Sequence, residues 1–342
     1  MSSSEPPRSD PESNVTSLVD RLPPAQRVKL LARIALAPHV SDRVELAQLG
    51  EYAMRIEDVD VDAALTELAA STSDLEVVRE TRMACRAVRA LRSFLRNDPD
   101  GARAEWAEII AEDPERAAPA HFFRSLFWMV RGDLDAALAD VNRAVVLSPQ
   151  DPHAYARRGE IYHHLGSDAE ATANFLRAAQ IDPDNLVALS GMGVCLQLSG
   201  EWLEAIRWYT RAIRLAPGHA QLHFGRALCL EGENRLDEAV TDLDAAIALD
   251  PGDPASFHAR GRCRVGSDRS LAIADFTRSI ELDAGTSAVW TARGRAYLGE
   301  GALDEAERDA ERALELDPTD TGARFTRPIV HHRRGDSARA AR

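Results

Sequence analysis

A fixed period constrains this chain more than any other feature. The blocks LDEAVTDLDAAIALDP, SLAIADFTRSIELDA and LDEAERDAERALELDP end at Pro251, Ala284 and Pro318, and each follows a partner block opening at Arg226, Arg260 or Arg293. The same punctuation stands earlier at Pro114, Pro149, Pro183 and Pro217, so the chain is ruled off at nearly even steps as far as Pro318. A period of this size marks a solenoid, in which each unit buries its apolar face against its neighbours. The 342 residues therefore need not divide into two ordinary globular domains.

The residues inside each period repeat as well. Pro152–Asn185 carries Tyr155, Gly159, Tyr162, Ala171, Phe175, Ala178 and Pro183. Leu186–His219 carries Leu189, Gly193, Leu196, Ala205, Tyr209, Ala212 and Pro217. Ser287–Asp320 carries Trp290, Gly294, Tyr297, Ala306, Ala313 and Pro318, with Ala310 where a large residue is usual. These are repeat positions 4, 8, 11, 20, 24, 27 and 32, and the pattern resembles the tetratricopeptide repeat. The resemblance covers Ala118–Arg342 well and Met83–Ala117 weakly. It implies an all-α fold, a right-handed superhelical solenoid of helix hairpins. The units implied are 118–151, 152–185, 186–219, 220–253, 254–286 and 287–320, with a degenerate unit at 83–117 and a partial one at 321–342. Each is expected to run one helix from about position 3 to 14 and a second to about position 30. The unit at Phe257 is one residue short, in the turn VGSDRS, where a loss is better tolerated than in a helix.

The ends depart from the period. Residues 1–16 are rich in Ser, Pro and acids, a composition expected to stay disordered. Residues 17–82 read as short helices, with Pro24 in a first turn and Asp42 with Glu45 as a capping box, and 42–82 can hold one degenerate repeat. A DNA-reading helix-turn-helix is the sharper alternative there, but LAQLGEYAMRIED and AALTELAAS offer almost no basic or amide side chains. In the last unit Pro328 falls inside the first helix and should kink it, and the second helix is cut to DSARAAR.

Composition narrows the function classes. The net charge of −14 disfavours a general nucleic-acid binder, so no nucleic acid is expected as a partner. MSSSEPPRSDPESN offers no apolar core for a signal peptide, and no apolar run is long enough for a membrane helix. The expectation is a cytoplasmic protein without membrane insertion, from a bacterium by its Ala, Arg and Asp usage. Cys195, Cys229 and Cys263 recur once per period at one repeat position, and Cys85 stands apart. Other units place Phe127, Ile161, Ala296 and Val330 there, so the column reads as buried structural thiols rather than a metal or redox site. The adjacent pairs His163–His164 and His331–His332 point in different directions on a helix and do not chelate alone. Phosphate-loop, zinc-protease and serine-hydrolase motifs are not found, so neither enzyme activity nor a cofactor is expected.

One charge pattern is internal. Position 7 is Arg124, Arg158, Arg226, Arg260, Arg293 and Arg327, and the second helices answer with Asp140, Asp242, Asp275 and Asp309 near position 23. The interval from arginine to aspartate is the same in every pair, except that the short unit has lost one position from it. Where the arginine is missing, Met192 stands at that same interval before Trp208. The positions change character together, so they should touch across each hairpin, as semi-exposed pairs contributing about 0–1 kcal/mol each.

The resemblance also implies where a partner sits. In this family the first helices line a concave groove through positions 2, 5, 6, 9, 12 and 13. Carried over, the face includes Phe122, Leu126 and Met129, then Arg157, Glu160 and His163, then Val194 and Gln197. It continues with Phe224, Leu228 and Glu231, then His258, Arg262 and Arg295, and ends at Phe325 and Ile329. The family's carboxylate clamp is missing, since Ala156, Ser190, Phe224, His258 and Thr291 occupy position 5. A mixed apolar and basic face suits a protein or peptide partner with hydrophobic anchors and some acids. The reading is a non-enzymatic scaffold or adaptor; the alternatives are the regulatory arm of a larger enzyme or signalling protein, or a transcriptional regulator using the N-terminal helices.

Overall fold

The computed structural model describes residues 98–335, together with Arg86, Arg89, Ala90 and Ser93. The expected tail 1–16, the helices of 17–82, Cys85 and the closing segment DSARAAR lie outside the described residues. Among the described residues the chain is all-α, with fourteen helices and no strand. It divides into two compact units, Met1–Val187 and Ala188–Arg342.

In the first unit lie α1 (Pro99–Glu112), α2 (Ala118–Arg131), α3 (Leu134–Leu147), α4 (Pro152–His164) and α5 (Asp168–Ile181). α6 (Leu186–Leu198) begins two residues before the division. The second unit continues with α7 (Trp202–Leu215), α8 (Ala220–Gly232), α9 (Leu236–Leu249), α10 (Pro254–Arg264), α11 (Arg269–Leu282), α12 (Ser287–Glu300), α13 (Leu303–Leu316) and α14 (Thr321–Arg333).

First helices start at position 1 rather than 3, and the reason is local. Asp151 and Asp253 cap α4 and α10 through bonds to the amides of His153 and Ala255, while Pro152 and Pro254 fill the first helical position. Proline is pre-set for that site because its missing N–H would have no helical partner. The turn inside each hairpin uses one left-handed residue: Gly132, Gly166, Gly200, Gly301 and Gly335, with φ between 73° and 81°, and Asn234 at 56°. Asparagine is among the few side chains that tolerate this region. The short unit has lost that residue, and α10 ends after 11 residues, two before α8 does. α14 runs through Pro328, whose ring removes one backbone donor without ending the helix.

Small residues let the helices approach. Ala137, Ala171, Ala205, Ala239, Ala272 and Ala306 fill position 20 and are all fully buried. Position 8 glycines take the aromatic ring of position 24. A Cβ on Gly159 would lie 2.8 Å from Phe175, and one on Gly261 would lie 2.6 Å from Phe276. At Gly294 the partner is Ala310, and the nearest atom to an added Cβ is 3.2 Å away.

The charge ladder forms, and it is more deeply set than the spacing suggests. Arg226 Nε and Nη2 donate to Asp242 at 2.7 and 2.6 Å, and Arg293 Nε and Nη2 donate to Asp309 at 2.8 Å each. Arg124–Asp140 and Arg260–Asp275 close to 2.6 Å, and Arg158 Nε donates to Asn174 at 2.7 Å. The four aspartates are buried while their arginines stay partly exposed, so each pair is half in the core. Removing an arginine would strand a buried carboxylate and cost more than the surface value of about 0–1 kcal/mol. Burial alone would raise the Asp140 pKa, but hydrogen bonds from His121 and Arg124 and their charge bring it below the ordinary value. The same arginines reach backwards too. Arg226 and Arg293 donate to Thr210 and Thr277 at 3.1 Å, Arg260 to Asp244 at 2.5 Å, and Arg158 to Asn142 at 3.1 Å. Each of these arginines thus ties its own hairpin to the one before. Arg327 is exposed.

Candidate functional site

The predicted face behaves differently in the two units. In the first, α2 and α4 lie side by side and the side chains between them close on each other. Phe122 is 3% exposed, and the Arg157 guanidinium lies 5.5 Å from its ring centroid. Arg157 is itself 6% exposed; its Nη1 donates to Glu160 Oε2 at 2.6 Å and sits 4.0 Å from Met129 Sδ. Phe122, Met129, Arg157 and Glu160 thus form one packed cluster. Phe122 and Arg157, placed on the open face by the repeat pattern, are instead inside it, because the long arginine covers the ring. Leu126 and His163 are half-buried, and His163 Nδ1 lies 3.6 Å from the Asp168 carboxylate. A cleft of about 450 Å³ opens where α2 and α4 begin, among Pro119, Phe122, Phe123, Pro149, Pro152 and His153.

In the second unit the face stays open. Phe224 and Leu228 lie one turn apart on α8, half-buried, and rest on a cluster that includes Ala227, Ala259 and Cys263. Arg262 is exposed and pairs with Glu231 through Nη2. His258 is half-buried with its edge on Phe276, 5.8 Å between centroids. Burial and then the Arg262 charge lower its pKa to about 4, so it is neutral at physiological pH. Val194 and Gln197 are half-buried, and Gln197 accepts a hydrogen bond from the Tyr209 hydroxyl at 3.1 Å. Arg295 is exposed and makes no ion pair among the described residues.

The sequence suggested a basic face nearly free of acids. The structure matches two of its three arginines to glutamates, Arg157 with Glu160 and Arg262 with Glu231. The Arg262–Glu231 pair is 31 residues apart and joins two hairpins, a spacing that no other unit repeats as an ion pair among the described residues.

The three described cysteines are buried, and burial pushes the Cys229 and Cys263 thiols up to about 12 and 11. Cys229 and Cys263 stay protonated, as packing side chains. No described helix is long and apolar enough to cross a membrane.

Comparison with known proteins agrees with the hairpin architecture. Tetratricopeptide repeat profiles match residues 86–152, 129–185, 199–254 and 287–320, together more than half of the chain. No curated protein sequence matches. Among solved structures, a tetratricopeptide repeat protein from Parabacteroides merdae ATCC 43184 is 14% identical, with a TM-score of 0.53 over 73% of this chain and 98% of that one. PilW, described as a widely conserved type IV pilus biogenesis factor, is 17% identical with a TM-score of 0.55, over 61% of this chain and 97% of its own. Pseudomonas aeruginosa pilF is 15% identical with a TM-score of 0.55, over 60% of this chain and 95% of its own. At these identities the likeness concerns the fold.

Proposed function

The chain belongs to the tetratricopeptide repeat family, generally non-catalytic protein-interaction scaffolds, and we propose that it is an adaptor whose partner lies on the first-helix face of the second unit. The observation that carries this reading is the pairing of Phe224 and Leu228, two large apolar side chains held half-open on α8, with exposed Arg262 and Arg295 farther along the same face. Rigid aromatic and arginine side chains are enriched among interface hot spots. The partner segment would be a peptide or helix with apolar anchors and an acid. The acid would meet Arg295, or exchange with Glu231 for Arg262. Affinity capture from native cells tests this: Phe224→Ala should deplete the partners that wild type retains. Equal retention by Phe224→Ala and Arg262→Glu would move the site off this face.

A further inference from the structure

Arg158, Arg226, Arg260 and Arg293 each bond one acceptor ahead and one behind, whereas Arg124 bonds only ahead. The acceptors behind, Asn142, Thr210, Asp244 and Thr277, stand at one interval before Pro149, Pro217, Pro251 and Ala284. The same interval before Pro114 falls on Ala107, whose side chain has no acceptor. Leu176 also lacks one, but the unit after it has Met192 in place of the arginine. At Ala107 the arginine is kept and its partner is missing. Arg124 gives Nε and Nη2 to Asp140 at 2.6 Å each, and its Nη1 meets no acceptor among the described residues. Glu108, next along α1, pairs with Arg86 at 3.0 Å instead.

A cleft of about 560 Å³ opens at that missing partner, between α1 and α3. Its walls are small: Ala104 and Ala107 on α1, Ala136 and Ala139 on α3, with Arg124 and Trp128 of α2 between them. The Asp140 carboxylate is already taken up by His121, by Arg124 and by Trp128 Nε1 at 3.1 Å, so the unmet group in the cleft is a donor. Arg103 also lines the cleft, exposed, and its printed partner is Asp100 on its own helix at 3.1 Å. Another rung shows what suits the open place. Arg264 stands at the repeat position of Trp128 and likewise donates to the aspartate ahead, at 2.9 Å. There the place behind is filled by a carboxylate, Asp244, which accepts from Arg260.

We propose that this cleft binds a carboxylate with an apolar body. The carboxylate takes the place that Asp244 holds in its own rung and accepts from Arg124 Nη1, with Arg103 as a second donor. The body lies between the alanine walls. A cleft of this size with few polar groups suits such a ligand, and an ionised acceptor makes the stronger bond to a guanidinium. Two sources share the chemistry: a small free acid, and an acidic side chain beside an apolar one in a partner segment. The site belongs to the first unit and does not depend on the face proposed for the second.

The test uses the full chain, labelled at its indole nitrogens and read by NMR at Trp128, with phenylacetate as the probe. Phenylacetate should shift this resonance saturably. Phenylacetamide, which keeps the body and loses the charge, should bind about tenfold more weakly. Ala107→Asp puts a carboxylate of the chain's own where the ligand's would sit. It should weaken phenylacetate binding about tenfold and keep wild-type circular dichroism, since Ala107 is exposed. Phe224→Ala should leave the Kd unchanged. An acetylated, amidated Phe-Glu-Ala peptide that binds more tightly than phenylacetate would assign the source to a partner's side chain, and the reverse order would assign it to a free acid. The proposal fails if phenylacetate gives no saturable shift, if phenylacetamide binds equally well, or if folded Ala107→Asp binds phenylacetate as wild type does.

Discussion

Phe122 and Phe224 hold the same repeat position in different units of the molecule, and only one of them is surface. Phe122 is sealed, with the guanidinium of Arg157 over its ring. Phe224 is half-open because α10 brings Ala259 and Cys263 to the same place. A residue's place in the repeat sets the direction in which its side chain leaves the helix. Whether that side chain ends in water depends on the length of the residue that the next helix brings over it. One long side chain at position 6 turns a candidate binding surface into core.

The largest expected effect tests that contrast through stability. Phe122→Ala should cost about 3–5 kcal/mol, the range for emptying a filled aromatic site. Phe224→Ala should cost less than half as much, since solvent already reaches its ring. Denaturant unfolding of the full chain, with hydrogen exchange in α2 and α8, would measure both; equal costs would erase the distinction between the units.

Binding should invert the order. Phe224→Ala should weaken capture of a partner by about 1–3 kcal/mol if it is a hot spot, while folded Phe122→Ala should bind as wild type. A partner released by Phe122→Ala at full helicity would show that the first unit holds the site. Charge should matter less. Arg262→Glu places two glutamates together at Glu231, so binding should fall at low ionic strength and recover toward wild type as salt screens the contact. A salt-independent loss would mean that Arg262 packs rather than attracts.

The smallest effect belongs to His258, a third side chain at position 5. Its folded pKa of about 4 lies below the ordinary 6.5, so the unfolded chain takes up the proton first. Stability should be whole above about pH 6.5 and decline as the pH falls toward 4, by about 1 kcal/mol once solvent screening is allowed for. His258→Gln should flatten this part of the pH–stability curve. An unchanged slope would place the titration elsewhere.

What was legible in the sequence is what repeats. The period, the hairpins and the forward partners of Arg226, Arg260 and Arg293 come from positions that change character together. The backward partners were hidden because they vary: Asn142, Thr210, Asp244 and Thr277 share a place and an oxygen acceptor, but the residue is Asn, Asp or Thr by turns. The burial of Asp242 and Asp309 was not readable either, because neighbouring helices set it. The same limit applies to the face. The direction of Phe122, Arg157 and Phe325 followed from spacing, but their exposure depends on which helix comes next and on the size of its side chains. The Arg262–Glu231 pair crosses from one hairpin to another in a single place, so no recurrence announced it.

The two-way reach of the arginines also governs how such a chain can change length. Arg226 and Arg293 each bond an equal distance along the chain ahead and behind. Excising residues 226–259 would bring Arg260 into the frame of Arg226. Asp275 would remain its forward partner, and Thr210 would stand behind it in place of Asp244. Arg260 and Arg293 would each still find an acceptor ahead and behind, though Arg262 would lose Glu231, and duplicating the segment would satisfy the same ladder rule. The ladder behaves like a line of interchangeable type: whole repeats can be set or struck without leaving a ladder arginine unmatched. A single residue added within a helix would leave an arginine facing the wrong side chain.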